Sequence, residues 1–105
     1  MTDAEYTPGF AAGLEIRREV MGDDFVERAF DRARGTDSES MQEFVTEHAW
    51  GAVWSRPGLD RRSRSLLNLG MLIALRAENE LRGHVRGALR NGLSRTEIVE
   101  SVIHC

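Results

Sequence analysis

The chain has a single cysteine, Cys105. No intramolecular disulfide can form, and a reduced, cytoplasmic setting is the default expectation. It has no phosphate-cradling glycine loop and no cysteine/histidine spacing of a zinc site, so the residues point to no cofactor and no metal. Positive charge is not concentrated: the formal net charge is −3 with both signs interspersed. That leaves no electrostatic footprint for nucleic acid or an anionic membrane. The start carries Asp3 and Glu5 rather than a basic segment followed by an apolar one, so no signal peptide is expected. Apolar runs are too short to cross a bilayer. Strand-like alternation and internal repeats are missing as well, which leaves an all-α reading. At 105 residues the chain is expected to form one domain over residues 1–105.

The stretch from Leu59 to Gly92 organises the rest. From Leu66 to Ala77 it is apolar nearly all round, broken only by Asn68, Gly70 and Arg76. Such a helix belongs in a core or a subunit interface. A chain this small can hardly cover it on every side, so self-association is expected. Immediately after it His84 brings a titratable group to its edge.

About six helices are expected. The first runs from about Gly9 to Met21, after polar residues 1–8, and stops at Gly22. Asp23 or Asp24 is expected to cap the second, with Phe25, Val26, Ala29, Phe30 and Ala33 inward and Gly35 closing it. Ser40 and Glu43 have capping-box spacing and would open a third. Its apolar set is Met41, Phe44, Val45, Ala49, Val53 and the Trp50–Trp54 pair. Arg56-Pro57-Gly58 breaks the chain. Asp60 caps the central helix, whose first turns carry Arg61, Arg62 and Arg64. Those arginines are either solvated or join the free amides there to hold an anion. The fifth helix ends at Gly92, and Gly83 and Gly87 within it imply a close neighbour. Ser94 and Glu97 repeat the capping-box spacing and open a sixth, with Ile98, Val99, Val102 and Ile103 inward. That helix has no stop signal, and the chain reads as truncated at its C-terminus.

Several words in this order resemble the carboxymuconolactone decarboxylases: TEHAWGAVWSRPGL (46–59), RSRSLLNLGMLIAL (62–75), ELRGHVRGALRNG (80–92) and TEIVESVIHC (96–105). The opening GLEIRREVMGDDFVERA (13–29) is similar to that family's N-terminal helices. The resemblance implies an alkylhydroperoxidase-like helical fold assembled as homotrimers or homohexamers. It also implies a cofactor-free lyase of the β-ketoadipate pathway, acting on a lactone dicarboxylate. The reaction would convert 4-carboxymuconolactone to 3-oxoadipate enol-lactone and carbon dioxide during protocatechuate catabolism.

Alkylhydroperoxidases of the same superfamily are the competing reading, as is a non-catalytic oligomeric member. The peroxidase signature is a Cys-x-x-Cys followed four residues later by histidine. Aligned on His84, it puts Ala77 and Glu80 where the cysteines would stand and Ser65 near the relay glutamate. Dithiol peroxide chemistry needs an attacking thiolate and a resolving thiol, and neither is at that site.

The decarboxylation leaves a furanolate-like anion that must be held, stabilised at oxygen and protonated at carbon. His84 is the first choice for proton donor or oxyanion contact, and Glu47 a second catalytic candidate that could orient it. Arg64 and Arg62 are candidates for the substrate carboxylates. Trp50 could wall off the ring, although a tryptophan pair at this spacing is more often core. Arg86, on another side of the His84 helix, is a weaker candidate, and Glu80 one turn before His84 could tune it.

Overall fold

The computed structural model describes residues 7–105, so most of the polar opening expected at 1–8 lies outside the described residues. Those residues form helices and turns in two compact units, Met1–Pro57 and Gly58–Cys105. This all-α architecture is the one expected from the sequence.

The first unit contains α1 (Pro8–Met21), α2 (Asp23–Ala33) and α3 (Ser38–Val45), the last continuing into a π-helical segment (Thr46–Val53). Thr7 caps α1 by accepting from the Phe10 amide, and Pro8 sits in the first turn, where its missing N–H costs nothing. Gly22, at φ 91°, ends α1 and also begins α2. Neither Asp23 nor Asp24 caps α2; both lie inside its first turn, where carboxylates suit the helix dipole. The expected capping box at Ser40 is not formed either. Helix α3 starts two residues earlier, at Ser38, and its start is tied by the Thr36 hydroxyl and the Glu39 carboxylate. The core is Val20, Met21, Val26 and the Trp50–Trp54 pair, stacked at 4.8 Å between centroids. Burying Val20 and Val26 completely is worth roughly 1.5–3 kcal/mol each. Met41, Phe44 and Val53, expected inward, are exposed in the single chain.

The apolar spacing predicts plain α-helix through Thr46–Val53, but the segment is π-helical. Its i→i+5 pattern ends with the Trp54 amide on the Ala49 carbonyl at 3.0 Å. It crosses α1 with almost no space between backbones. A Cβ on Gly13 would stand 1.9 Å from the Thr46 carbonyl oxygen, and one on Gly51 would stand 2.3 Å from the Gly9 oxygen. Only glycine permits that approach.

The second unit contains α4 (Arg61–Leu75), α5 (Glu78–Arg90) and α6 (Arg95–His104). Asp60 caps α4 as expected, its carboxylate accepting from the Ser63 amide at 2.7 Å. Arg76 ends the helix in the left-handed region at φ 55°, and Gly92 closes α5 at φ 97°. The Ser94–Glu97 capping box forms with both of its hydrogen bonds. Leu69, Ala88, Leu93 and Ile98 make the core of this unit, and Gly83 and Gly87 are buried on α5.

The apolar central helix does not bury itself here. On α4 only Ser65 and Leu69 are buried, while Leu67, Met71 and Leu75 are exposed, Leu75 by 75%. On α6 only Ile98 is buried; Val99, Val102 and Ile103 face outward, against expectation. The reason is geometric. Two short neighbours can cover only one side of a helix that is apolar on several.

Candidate functional site

The five residues singled out from the sequence divide between the units. Glu47 and Trp50 belong to the first; Arg62, Arg64 and His84 belong to the second.

In the second unit α4 and α5 pack side by side, and a short row of polar contacts runs along their seam. Near one end the Asn91 carboxamide donates to the buried Ser65 hydroxyl at 2.9 Å and reaches the Arg61 carbonyl at 3.4 Å. Further along, the Asn68 carboxamide nitrogen lies 3.5 Å from Nδ1 of His84. Leu69 and Ala88, beside these contacts, are fully buried or nearly so and set the spacing of the two helices. His84 itself is half-buried.

Arg64 lies one turn before Asn68 on α4, so the two share a face. Its Nε donates to the Leu59 carbonyl at 3.3 Å, which directs the side chain back over the start of the helix. Arg62 is committed differently: its guanidinium forms an ion pair with Glu97, the residue that also completes the α6 capping box. Of the two arginines, Arg64 is the one that shares the Asn68 face of α4.

In the first unit Glu47 opens the π segment and is half-buried. Its carboxylate accepts from the Thr7 hydroxyl at 2.9 Å and lies 3.9 Å from Nε2 of His48. Thr7 is also the cap of α1, so Glu47 sits where that helix presents its positive end. Trp50 is a core residue, 5% exposed and stacked on Trp54. The indole pair anchors the π segment from within.

Two residues escaped the sequence reading. Arg17 is buried on α1, with Nη1 donating to the Thr46 hydroxyl at 3.0 Å and its guanidinium 5.5 Å from the Phe30 ring centre. Thr46 passes the chain of bonds on to the Gln42 carbonyl at 2.7 Å. Burial pulls the guanidinium below its usual range, as it must for a charge held by a hydroxyl and an aromatic face. Arginine in an amphipathic helix normally reads as surface, so nothing local marks it. Asn68 is the second. A lone amide in an otherwise apolar helix was the available signal.

The whole arrangement offers a half-buried imidazole, an amide touching one ring nitrogen, and a guanidinium on the same face of the neighbouring helix.

Comparison with known proteins places the chain among decarboxylases. The chain is 47% identical over 95 residues to a nitrosuccinic acid decarboxylase of Metarhizium robertsii, covering 90% of this chain and 66% of that protein. It is 42% identical over 96 residues to a 4-carboxymuconolactone decarboxylase of Acinetobacter baylyi, covering 91% of this chain and 71% of that protein. The chain thus spans about two-thirds of the length of the curated relatives it matches. The model of the carboxymuconolactone decarboxylase family matches residues 39–105, a span that holds the π segment and the whole of the second unit. The chain belongs to the carboxymuconolactone decarboxylase family.

Proposed function

We propose that this protein is a lyase that decarboxylates 4-carboxymuconolactone or a near relative without a cofactor, in the β-ketoadipate route of protocatechuate breakdown. The observation that carries the reading is that two relatives, each similar over nine-tenths of the chain, are both named decarboxylases.

Their substrates share one chemical feature. In each, the departing carboxylate sits on a carbon whose electrons can be drawn into a built-in acceptor. In the lactone, the bond from the ring carbon to its carboxylate breaks, carbon dioxide leaves, and the electron pair delocalises through the ring double bond onto the carbonyl oxygen. In nitrosuccinate the same pair ends on the nitro group as a nitronate. Either anion then takes a proton at carbon. Because the substrate is its own electron sink, the protein's work is to bind a dianion and stabilise the growing charge on oxygen.

His84 supplies the oxyanion contact or the proton, and Arg64 the grip on a carboxylate, with Arg62 a second possibility. Glu47 is a further catalytic candidate, held at the start of α1. Trp50 contributes by fixing the π segment that carries Glu47. The peroxidase alternative has no support from the chain's thiols, since Cys105 is its one cysteine and is exposed at the end of α6.

We further propose that the chain works as a homotrimer or homohexamer in the cytoplasm. Support comes from Leu67, Met71 and Leu75 on α4 and Val102 and Ile103 on α6, all left exposed by the single chain. Apolar side chains grouped this way mark association surfaces.

The test is carbon dioxide release from 4-carboxymuconolactone and, in parallel, from nitrosuccinate. Release from the lactone at an enzymatic rate is expected. Release from nitrosuccinate alone would move the substrate assignment to the nitro acid. Silence with both would leave the non-catalytic reading standing.

A further inference from the structure

A neutral imidazole can carry its proton on either nitrogen, and the two tautomers do opposite jobs at a bound acid. The neighbour of the nitrogen that faces the protein decides which one is populated. At His84 that neighbour is Asn68, whose carboxamide nitrogen faces Nδ1 at 3.5 Å. An amide NH2 can only donate, so it stabilises the ring when Nδ1 keeps its lone pair. We infer that Asn68 is a positioning residue that holds His84 as the Nε2–H tautomer, making the imidazole a hydrogen-bond donor toward the bound acid. This rests on the decarboxylase reading for its catalytic meaning, although the tautomer itself does not.

Three features of the seam support the assignment. Asn68 is a half-buried amide in a helix segment whose other residues, from Leu66 to Leu75, are apolar or glycine, so packing alone does not explain it. The register that brings it opposite His84 is set independently by the Asn91–Ser65 bond at 2.9 Å and by the buried Leu69 and Ala88. The contact is long for a hydrogen bond, as catalytic contacts commonly are before a ligand draws the groups together.

The consequence narrows the role of His84. With its proton on Nε2, the neutral ring donates to an oxyanion but is a poor acid, since giving up that proton would leave an imidazolate. The Nε2–H therefore suits the lactone or nitro oxygen on which charge accumulates, as neutral histidines do in other enzymes that stabilise enolate-like anions. The proton that reaches carbon then comes from a donor other than the neutral His84 ring.

Nitrogen NMR of the ring distinguishes the tautomers directly, using the full protein without substrate at a pH where His84 is neutral. The expected spectrum has Nδ1 at the unprotonated position and Nε2 at the protonated one. In Asn68→Asp the carboxylate can only accept, and the two signals are expected to exchange. In Asn68→Leu they are expected to average. Both variants should keep the wild-type helical circular dichroism while kcat falls roughly tenfold with KM little changed, the size expected for losing one orienting hydrogen bond. A wild-type spectrum with the proton on Nδ1, or an Asn68→Asp spectrum identical to wild type, overturns the inference. If the tautomer is as stated but neither acid is decarboxylated, the failure belongs to the proposed function alone.

Discussion

Replacing Gly13 by alanine should destabilise the protein, although alanine is normally the better helix former. In an open helix the exchange gains about 1 kcal/mol. At Gly13 the new methyl would begin 1.9 Å from the Thr46 carbonyl oxygen, 2.7 Å from the Gly51 amide nitrogen and 3.0 Å from the Thr46 carbonyl carbon. All three are backbone atoms, so no side chain can swing aside. To reach ordinary contact near 3.4 Å, α1 must move from the π segment by about 1.5 Å. That shift would loosen the Arg17–Thr46 bond and the Gly9–Gly51 contact together. Overpacking of this kind costs about 1–3 kcal/mol, and rigid backbone places this case at the upper end. Net of the propensity gain, a loss of about 2 kcal/mol is expected from urea denaturation followed by circular dichroism. Gly58→Ala is the internal control. Its Cβ would meet nothing within 4 Å, and an open turn of ordinary φ should gain about 0.5 kcal/mol. If Gly13→Ala is as stable as wild type, the backbone crossing of α1 and the π segment is wrong.

Thr46→Val keeps the shape but removes the acceptor of the buried Arg17 guanidinium, and should cost about 1–3 kcal/mol in the same denaturation assay. At Asp60, hydrogen bonds from the Ser63 backbone and hydroxyl, aided by the Arg62 charge, hold the carboxyl below its usual range. A carboxyl lowered on folding contributes stability that is complete above its unfolded-state value and is lost as pH falls through the folded-state value. Asp60→Asn should therefore lower stability slightly at neutral pH while leaving the acid end little changed, flattening that part of the stability–pH curve. Leu75→Glu places a charge on the apolar face of α4 and should lower the light-scattering mass toward that of one chain, whereas an unchanged mass would exclude that face from the assembly.

What could be read from the sequence was local in origin. The caps at Asp60 and Ser94 and the stops at Gly22 and Gly92 depend on residues within a few positions of each other, and they formed as expected. The Asp23 and Ser40 caps failed because stronger local alternatives existed: Gly22 turns the chain directly into α2, and Thr36 ties the start of α3. The central helix showed the limit of composition. Its apolarity predicts that one chain cannot cover it, and Leu67, Met71 and Leu75 are exposed accordingly; which side stays bare is decided by the packing of α5 and α6.

For the site, a histidine and two arginines were visible as residue types, while their surroundings were not. The Arg17–Thr46 bond joins residues 29 apart and the Asn68–His84 contact residues 16 apart. No periodicity reports such pairs. The π segment crosses α1 through Gly51 and Gly13, residues 38 apart, and such a long-range approach leaves no mark in the local apolar spacing.

Decarboxylation as proposed requires His84 to act at the substrate. The direct measurement is the single-turnover rate of carbon dioxide release from 4-carboxymuconolactone by wild type and His84→Ala at matched, saturating enzyme. Loss of a positioned hydrogen-bond donor or acid predicts a fall on the order of 10²–10⁴ with the fold intact. A His84→Ala rate equal to wild type would contradict the account.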